Sequence, residues 1–250
     1  MADAASDFYS GLVAELYEPL AGGLADSASL QRFVERSGTP ALELACGTGH
    51  PMLELIAAGL EVHGIDSSAD MLALCREKAS ERNLAVTVHC QLMQTLALQT
   101  RYQCCYVAGA SFSLIDSLAD AQQTLDRVFA HLLPGGRFLL SVFRPELMPQ
   151  PSAERARECD DGTRISVCSI DQRELGAEQL VITRLRYTRR REGEIEAQVE
   201  RDWITRWYRR DQLLAMLQAA GFETGTARGF DGSEANPDSC DFSVIATKPA

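Results

Sequence analysis

Residues Leu42 to Met52 read LELACGTGHPM, and the reading of this stretch decides the fold. An apolar run with one carboxylate, Glu43, leads into Gly47 and Gly49, and a helical pattern, HPMLELIAAG, follows at once. A buried strand that turns through glycines straight into a helix opens a β-α-β unit. In open parallel sheets such a loop lies at the carboxyl ends of the strands, where ligands bind. Glycine suits that place because a Cβ would occupy the space a ligand needs. Glu43 is costly inside an apolar strand unless it is hydrogen-bonded, either to loop amides or to a cationic ligand.

Working outward, EVHGID reads as the second strand and ends at Asp66, where a carboxylate can accept both hydroxyls of a ribose. SSADMLALCREKASERN follows as a helix, with Ser67 and Asp70 at capping-box spacing. AVTVHC and YQCCYVAGA give two further strands, DAQQTLDRVFAHLL a helix closed by PGG, and RFLLSVF a fifth strand. Strands that alternate with helices need crossover connections, hence a mainly parallel sheet with helices on both faces. From Thr163 the period becomes two, in TRISVCSID, QLVITRLRYTRR and EAQVERDWITRWY, which predicts three antiparallel strands packed by one face on the body. In these runs Val181, Leu185 and Tyr187 share a face, and so do Val199, Trp203 and Trp207. The chain then returns to a helix, DQLLAMLQAAG, capped by Asp211, and to two last strands near FETGTARGF and CDFSVIATKP. Before the body, apolar positions from Phe8 to Leu20 recur at helical steps, and a second helix is expected around Ser29 to Arg36. The fold class is therefore α/β: a Rossmann-like, doubly wound, mainly parallel seven-stranded sheet with an inserted three-stranded antiparallel arm. Residues 1–38 are expected to form a helical lid segment, 39–150 and 208–250 the ligand-binding core, and 151–207 an insertion covering the site.

The 250 residues carry a formal net charge of −11, which disfavours nucleic acid as a partner and favours a small molecule. No apolar run approaches the ~18 residues of a membrane span, and the N-terminus lacks a basic region followed by an apolar block. A cytoplasmic protein, monomer or homodimer, with no membrane partner is expected. The eight cysteines form no CxxC pair and only four histidines accompany them, so no metal is expected and the cysteines read as small core hydrophobes. Arg189 to Arg191, beside Glu192 and Glu194, read as a solvated hairpin tip.

LELACGTGH followed by EVHGIDSSADML resembles the first two motifs of the class I S-adenosylmethionine-dependent methyltransferases. The resemblance continues through HLLPGGRFLLSVF and the C-terminal AGF, so it covers essentially the whole chain. The antiparallel arm is similar to an insertion of the small-molecule branch that helps roof the active site. The resemblance implies S-adenosyl-L-methionine as cofactor, with Glu43, Ala45, Gly47 and Gly49 around its methionine and ribose portions. It implies Asp66 on the ribose diol, Ser67 and Met71 beside the adenine, and Ala108 near the transferred methyl group. Relatives often follow the third strand with Gly-Asp-Met, whose aspartate accepts from the adenine amino group. Here Gln91, Leu92 and Met93 stand there, so Gln91 or a backbone carbonyl has to replace that acceptor while Met93 packs on the ring. In GASFSL, Ala110 lacks the amide side chain of relatives, and Phe112 is expected to face substrate. AELYE is similar to a segment that precedes the core in relatives and makes Tyr17 a lid and substrate candidate, against the plainer reading of an aromatic packed on the body.

Methyl transfer from a sulfonium is expected to be an in-line displacement onto an O or N atom of a small molecule, with the protein aligning the partners and excluding water. No base is named by the sequence; Tyr17, His50 and Arg206 are the catalytic candidates, and Arg144, Arg206 and Tyr208 join Tyr17 and Phe112 as substrate candidates. Two other functions share these features. A nicotinamide-dependent oxidoreductase would use the same fold, but Met52 stands where its fingerprint needs a third glycine. A cofactor-binding regulatory protein would keep the fold without catalysis, a reading to which Leu92, Ala110 and the missing base belong.

Overall fold

The structure, a computed structural model, describes residues 8–21, 26–229 and 233–250. Residues 1–7 and 22–25 of the expected lid segment, and Phe230 of the expected last strands, lie outside the described residues.

Two helices, α1 (Leu12–Ala21) and α2 (Ser27–Ser37), precede β1 (Ala41–Leu44), α3 (Met52–Ala57), β2 (Val62–Asp66), α4 (Ala69–Glu81) and β3 (Thr87–Cys90). Then come β4 (Tyr102–Val107), α5 (Leu118–His131) and β5 (Leu132–Val142), the antiparallel strands β6 (Arg155–Glu158), β7 (Thr163–Leu175), β8 (Leu180–Arg191) and β9 (Glu194–Arg206), and finally α6 (Arg210–Ala219), β10 (Glu223–Thr224) and β11 (Phe242–Thr247). The main sheet runs β10-β11-β5-β4-β1-β2-β3. Strands β1 to β5 pair in parallel and β11 pairs antiparallel with β5. All four residues of β1 are buried, which explains its unbroken apolar reading, since a central parallel strand is covered on both faces. Leu125, Val128, Leu213 and Leu217 of α5 and α6 cover one face. Phe33, Val34, Leu55, Leu72 and Cys75 of α2 to α4 cover the other. Because β1 lies between β2 and β4, the chain winds away in both directions from it, and the crevice beyond its carboxyl end is the switch point of the fold.

The inserted arm has four strands, not three, in the order β6-β7-β8-β9. The added strand, Arg155–Glu158, is exposed along its whole length, so no apolar alternation announces it. The arm packs its apolar face on the N-terminal segment: Ile165, Val167 and Tyr187 cluster with Phe8, Val13, Leu16 and Leu20. Three local expectations change. Ser68, not Ser67, caps α4, accepting from the Met71 amide at 3.1 Å, while Asp70 accepts from the Gly11 amide at 2.7 Å. Arg209 holds the cap position of α6, with Asp211 in the first turn. PGG does not close α5 apart from the sheet, because β5 already begins at Leu132. Cys46, Cys75, Cys104 and Cys105 are buried as expected, whereas Cys90 is exposed.

Candidate active site

The β1 strand leaves the sheet through a loop with left-handed backbone at Ala45 (φ 56°) and Gly47 (φ 53°). That turn aims the Gly47 amide at the end of β2, where it donates to Asp66 Oδ2 at 2.8 Å; the Ser68 amide donates to Oδ1, also at 2.8 Å. Burial pushes the Asp66 carboxyl up from its ordinary value, while the two amides and Ser67 pull it back. Glu43 lies fully buried beneath the loop. Its Oε2 accepts from the Tyr106 hydroxyl at 2.8 Å, and its Oε1 is buried without a partner. Burial pushes this carboxyl up to about 8, against the pull of Tyr106 and with the help of the charges of Glu54 and Asp66. An unpaired oxygen of this kind costs the native state about 1–3 kcal/mol, and a cationic group reaching it would remove that cost.

Above the loop lies a narrow cleft lined by Ala45, Gly47, Asp66, Ser67, Met71, Gln91, Leu92, Met93 and Tyr17. It opens into a cavity of about 700 Å³ lined by Tyr17, Ala45, Gly47, His50 and Ala108 and roofed by the arm through Val167, Leu185, Tyr187 and Trp203.

The family model for a methyltransferase domain matches residues 41–136. A dTDP-3-amino-3,6-dideoxy-alpha-D-glucopyranose N,N-dimethyltransferase of Streptomyces fradiae is 32% identical over 136 residues, 51% of this chain and 52% of that protein. The sugar N-methyltransferase KedS8 of Streptoalloteichus sp ATCC 53650 superposes with a TM-score of 0.76 at 18% identity, covering 94% of this chain and 92% of its own. The glycopeptide N-methyltransferase MtfA complexed with sinefungin gives 0.54 at 26% identity, covering 91% and 95%. Residues 41–136 are thus similar to a methyltransferase domain, and the fold over most of the chain is that of the S-adenosylmethionine-dependent methyltransferases. It spans about half the length of the curated relatives it matches.

Several residues singled out in the sequence lie away from the cavities. Gly49 (φ 95°) has another duty: a Cβ there would meet Leu53 Cγ at 2.8 Å and Cys75 Sγ at 2.9 Å, so it lets α3 and α4 pack against the loop. Phe112 is fully buried in the core against Tyr208, with ring centroids 5.5 Å apart, and neither faces the acceptor cavity. Arg144 turns outward, paired with Glu174 at 2.7 Å and stacked over Trp207 at 4.7 Å. Trp207 is half-buried, whereas its chain neighbour Arg206 is buried. Arg206 donates to the Asp116 carbonyl from Nε at 3.0 Å and again from its terminal nitrogen, and to the Glu178 carbonyl, so it holds two loops together. Gln91 keeps its place in the cleft, but its Oε1 already accepts from the Ala97 amide at 3.0 Å and is not a spare adenine acceptor. His50 lines the cavity with Nδ1 3.2 Å from Glu54.

Residues that sequence reading missed come chiefly from the N-terminal segment. Tyr9 lines both cavities and packs edge-on against Tyr17 at 5.5 Å. Its carbonyl accepts from Ser68 Oγ. Glu18 accepts from Thr48 of the glycine loop at 2.7 Å and pairs with Lys78 of α4. These contacts hold α1 across the loop; a tyrosine about two turns before Tyr17 and a carboxylate beside Tyr17 were the only signals available. Burial, and the nearby Asp66 charge, push the Tyr17 hydroxyl up, so at neutral pH it keeps its proton and acts as a donor. Tyr9 shifts in the same direction, again mainly by burial. Among the described residues no His, Cys, Asp and Glu group could hold a metal ion, and no helix is long and apolar enough to cross a membrane.

Proposed function

We propose that this protein binds S-adenosyl-L-methionine in the cleft and transfers its methyl group to an O or N atom of a small molecule held in the adjoining cavity. The observation that carries the reading is the unpartnered Glu43 Oε1 beneath the left-handed Gly47 loop, with Asp66 at the end of the next strand. A ligand with a cationic amine and a ribose suits that pair, and a pyrophosphate does not, since Asp66 would repel it and an anion beside Glu43 would oppose ionisation of that carboxyl. The cofactor would supply an electrophilic methyl group on a sulfonium, with sulfur as the leaving group that keeps the electron pair, and an acceptor that carries a proton at the reacting atom would lose it to solvent.

The chain's own residues do the rest. Glu43 would meet the amine, Asp66 the ribose hydroxyls, Ala45 and Gly47 would approach by backbone, and Ser67, Met71, Leu92 and Met93 would flank the adenine. Ala108 and Tyr17 would border the methyl group. The described residues of segment 1–38 act as lid and 151–207 as cover over the described residues of the core, 39–150 and 208–250, so that water is kept from the reacting atoms. No side chain in the cavity is placed as an obligatory base, and the protonated tyrosines orient the acceptor by donating to it. The protein works in the cytoplasm, as a monomer or homodimer.

Calorimetric titration with S-adenosylhomocysteine tests the reading. We expect a single site, and Asp66→Ala to weaken it by at least about 100-fold, through loss of the ribose contacts and of the loop-ordering bonds to Gly47 and Ser68. Absence of binding to the native protein, or an Asp66→Ala variant with native affinity, would refute it.

A further inference from the structure

The acceptor cavity is walled by six aromatic side chains among its described lining residues: Phe8, Tyr9, Tyr17, Phe143, Tyr187 and Trp203. They come from the N-terminal segment, the end of β5 and the arm, and they pack on one another around the space. Phe8 and Tyr9 lie 4.8 Å apart edge-on, Tyr9 and Tyr17 5.5 Å, and Phe143 faces Trp203 at 6.2 Å with planes 33° apart. Leu185 and Val167 of the arm complete the apolar roof. The charge around this space is sparse and of the wrong sign for an anion. Arg155 is the one lysine or arginine among the described lining residues, and it stands on an exposed strand. Glu146 also lines the cavity, Glu18 is already paired with Lys78, and the whole chain carries −11. A nucleotide-linked sugar brings two phosphate charges and many hydroxyls, which need cationic and hydrogen-bonding partners when taken from water. A flat aromatic molecule needs faces to stack on, and these walls supply them.

Resting on the methyltransferase reading above, we infer that the acceptor is an uncharged or cationic aromatic small molecule, stacked on the aromatic wall that Trp203, Phe143, Tyr9 and Tyr17 form, and not a nucleotide-linked sugar. Trp203 sets the recognition: it reaches the cavity from near the end of β9, is half-buried, and is held there by Phe143 and by a hydrogen bond with Tyr9.

The test uses two probes on the native protein already saturated with S-adenosylhomocysteine: 2-naphthol, and UDP-glucosamine as the nucleotide-linked sugar. Titration calorimetry is expected to show 2-naphthol binding in the micromolar range and no heat from UDP-glucosamine. Trp203→Leu should weaken 2-naphthol by at least about tenfold while the S-adenosylhomocysteine affinity stays within about twofold. Phe143→Leu, which removes the neighbour of Trp203 in the wall from a different element, is the second variant should Trp203→Leu unfold. Tighter binding of UDP-glucosamine than of 2-naphthol, or 2-naphthol affinity unchanged in the folded variant, would overturn the inference. The prior titration with S-adenosylhomocysteine alone separates the two levels: its failure removes the cofactor reading, whereas its success beside nucleotide-sugar binding removes only the aromatic acceptor.

Discussion

Replacing Glu43 with glutamine probes the buried carboxyl under the loop through the pH dependence of stability. In the native state burial holds this carboxyl at about 8, and unfolding returns it to its ordinary 4.5. The folded state therefore binds the proton more tightly, and the resulting stability is fully present below the unfolded value and is lost as pH rises through about 8. At one kcal-scale step of roughly 1.4 kcal/mol per pH unit where the folded form is protonated and the unfolded form is not, the loss between pH 6 and pH 8 amounts to about 2 kcal/mol. Glutamine keeps the shape and still accepts from Tyr106, but it cannot titrate. Urea unfolding at pH 6, 7 and 8 should show the wild-type protein losing about 2 kcal/mol more than Glu43→Gln over that range. Groups that titrate alike in both proteins cancel in the difference. Parallel stability curves for the two proteins would refute the placement of a protonated carboxyl in this site. A second readout follows from the unpaired oxygen: a cationic amine at Oε1 favours the ionised form, so S-adenosylhomocysteine binding at pH 7 should release a proton. Calorimetry in two buffers of different ionisation enthalpy measures that release, and Glu43→Gln should abolish it.

Three further substitutions test the fold around the site. Gly49→Ala puts a Cβ within 2.9 Å of both Leu53 and Cys75 at a left-handed φ, and we expect a loss of about 2–4 kcal/mol by urea unfolding; a loss below about 1 kcal/mol would show that the loop yields freely. Tyr208→Phe removes a buried hydroxyl that has no partner, so it should stabilise the protein by about 1 kcal/mol, and measurable destabilisation would mean the hydroxyl is bonded. Arg206→Met strands the Asp116 and Glu178 carbonyls and should cost about 3 kcal/mol in the same assay, whereas an unchanged midpoint would return Arg206 to the substrate candidates.

How far the sequence carries the reader depends on whether a residue is constrained by its neighbours in the chain or by distant ones. The β-α-β opening was legible because strand, loop and helix lie within a few residues of one another, and Asp66 because a strand end is a place that periodicity locates. The fourth strand of the arm was not, since Arg155 to Glu158 is an exposed edge whose pairing is decided by β7 and by nothing in its own pattern. Arg206 shows a subtler failure. Strand alternation sets neighbours such as Arg206 and Trp207 on opposite faces, but it cannot say whether a face meets water, substrate or two loop carbonyls. The aromatic cavity was out of reach for the same reason: it exists only where α1 and the arm meet, and Tyr9 and Trp203 each read locally as an ordinary packed aromatic.

The two glycines of the opening stretch divide along this line. Both take positive φ, and in the sequence both stand for close approach of a ligand. At Gly47 the added Cβ would meet only the flexible end of Met71 at 3.5 Å, so the open side faces the cleft and the residue serves the ligand. At Gly49 the space is taken by the chain itself, because Leu53 and Cys75 close on it from two helices. A spacing of two glycines thus carries two separate requirements, one for binding and one for packing. Alanine at Gly47 should strain the backbone and lower cofactor affinity, while alanine at Gly49 should act mainly on stability, and it is this split, rather than the loss of either glycine, that distinguishes a built ligand loop from a tight turn.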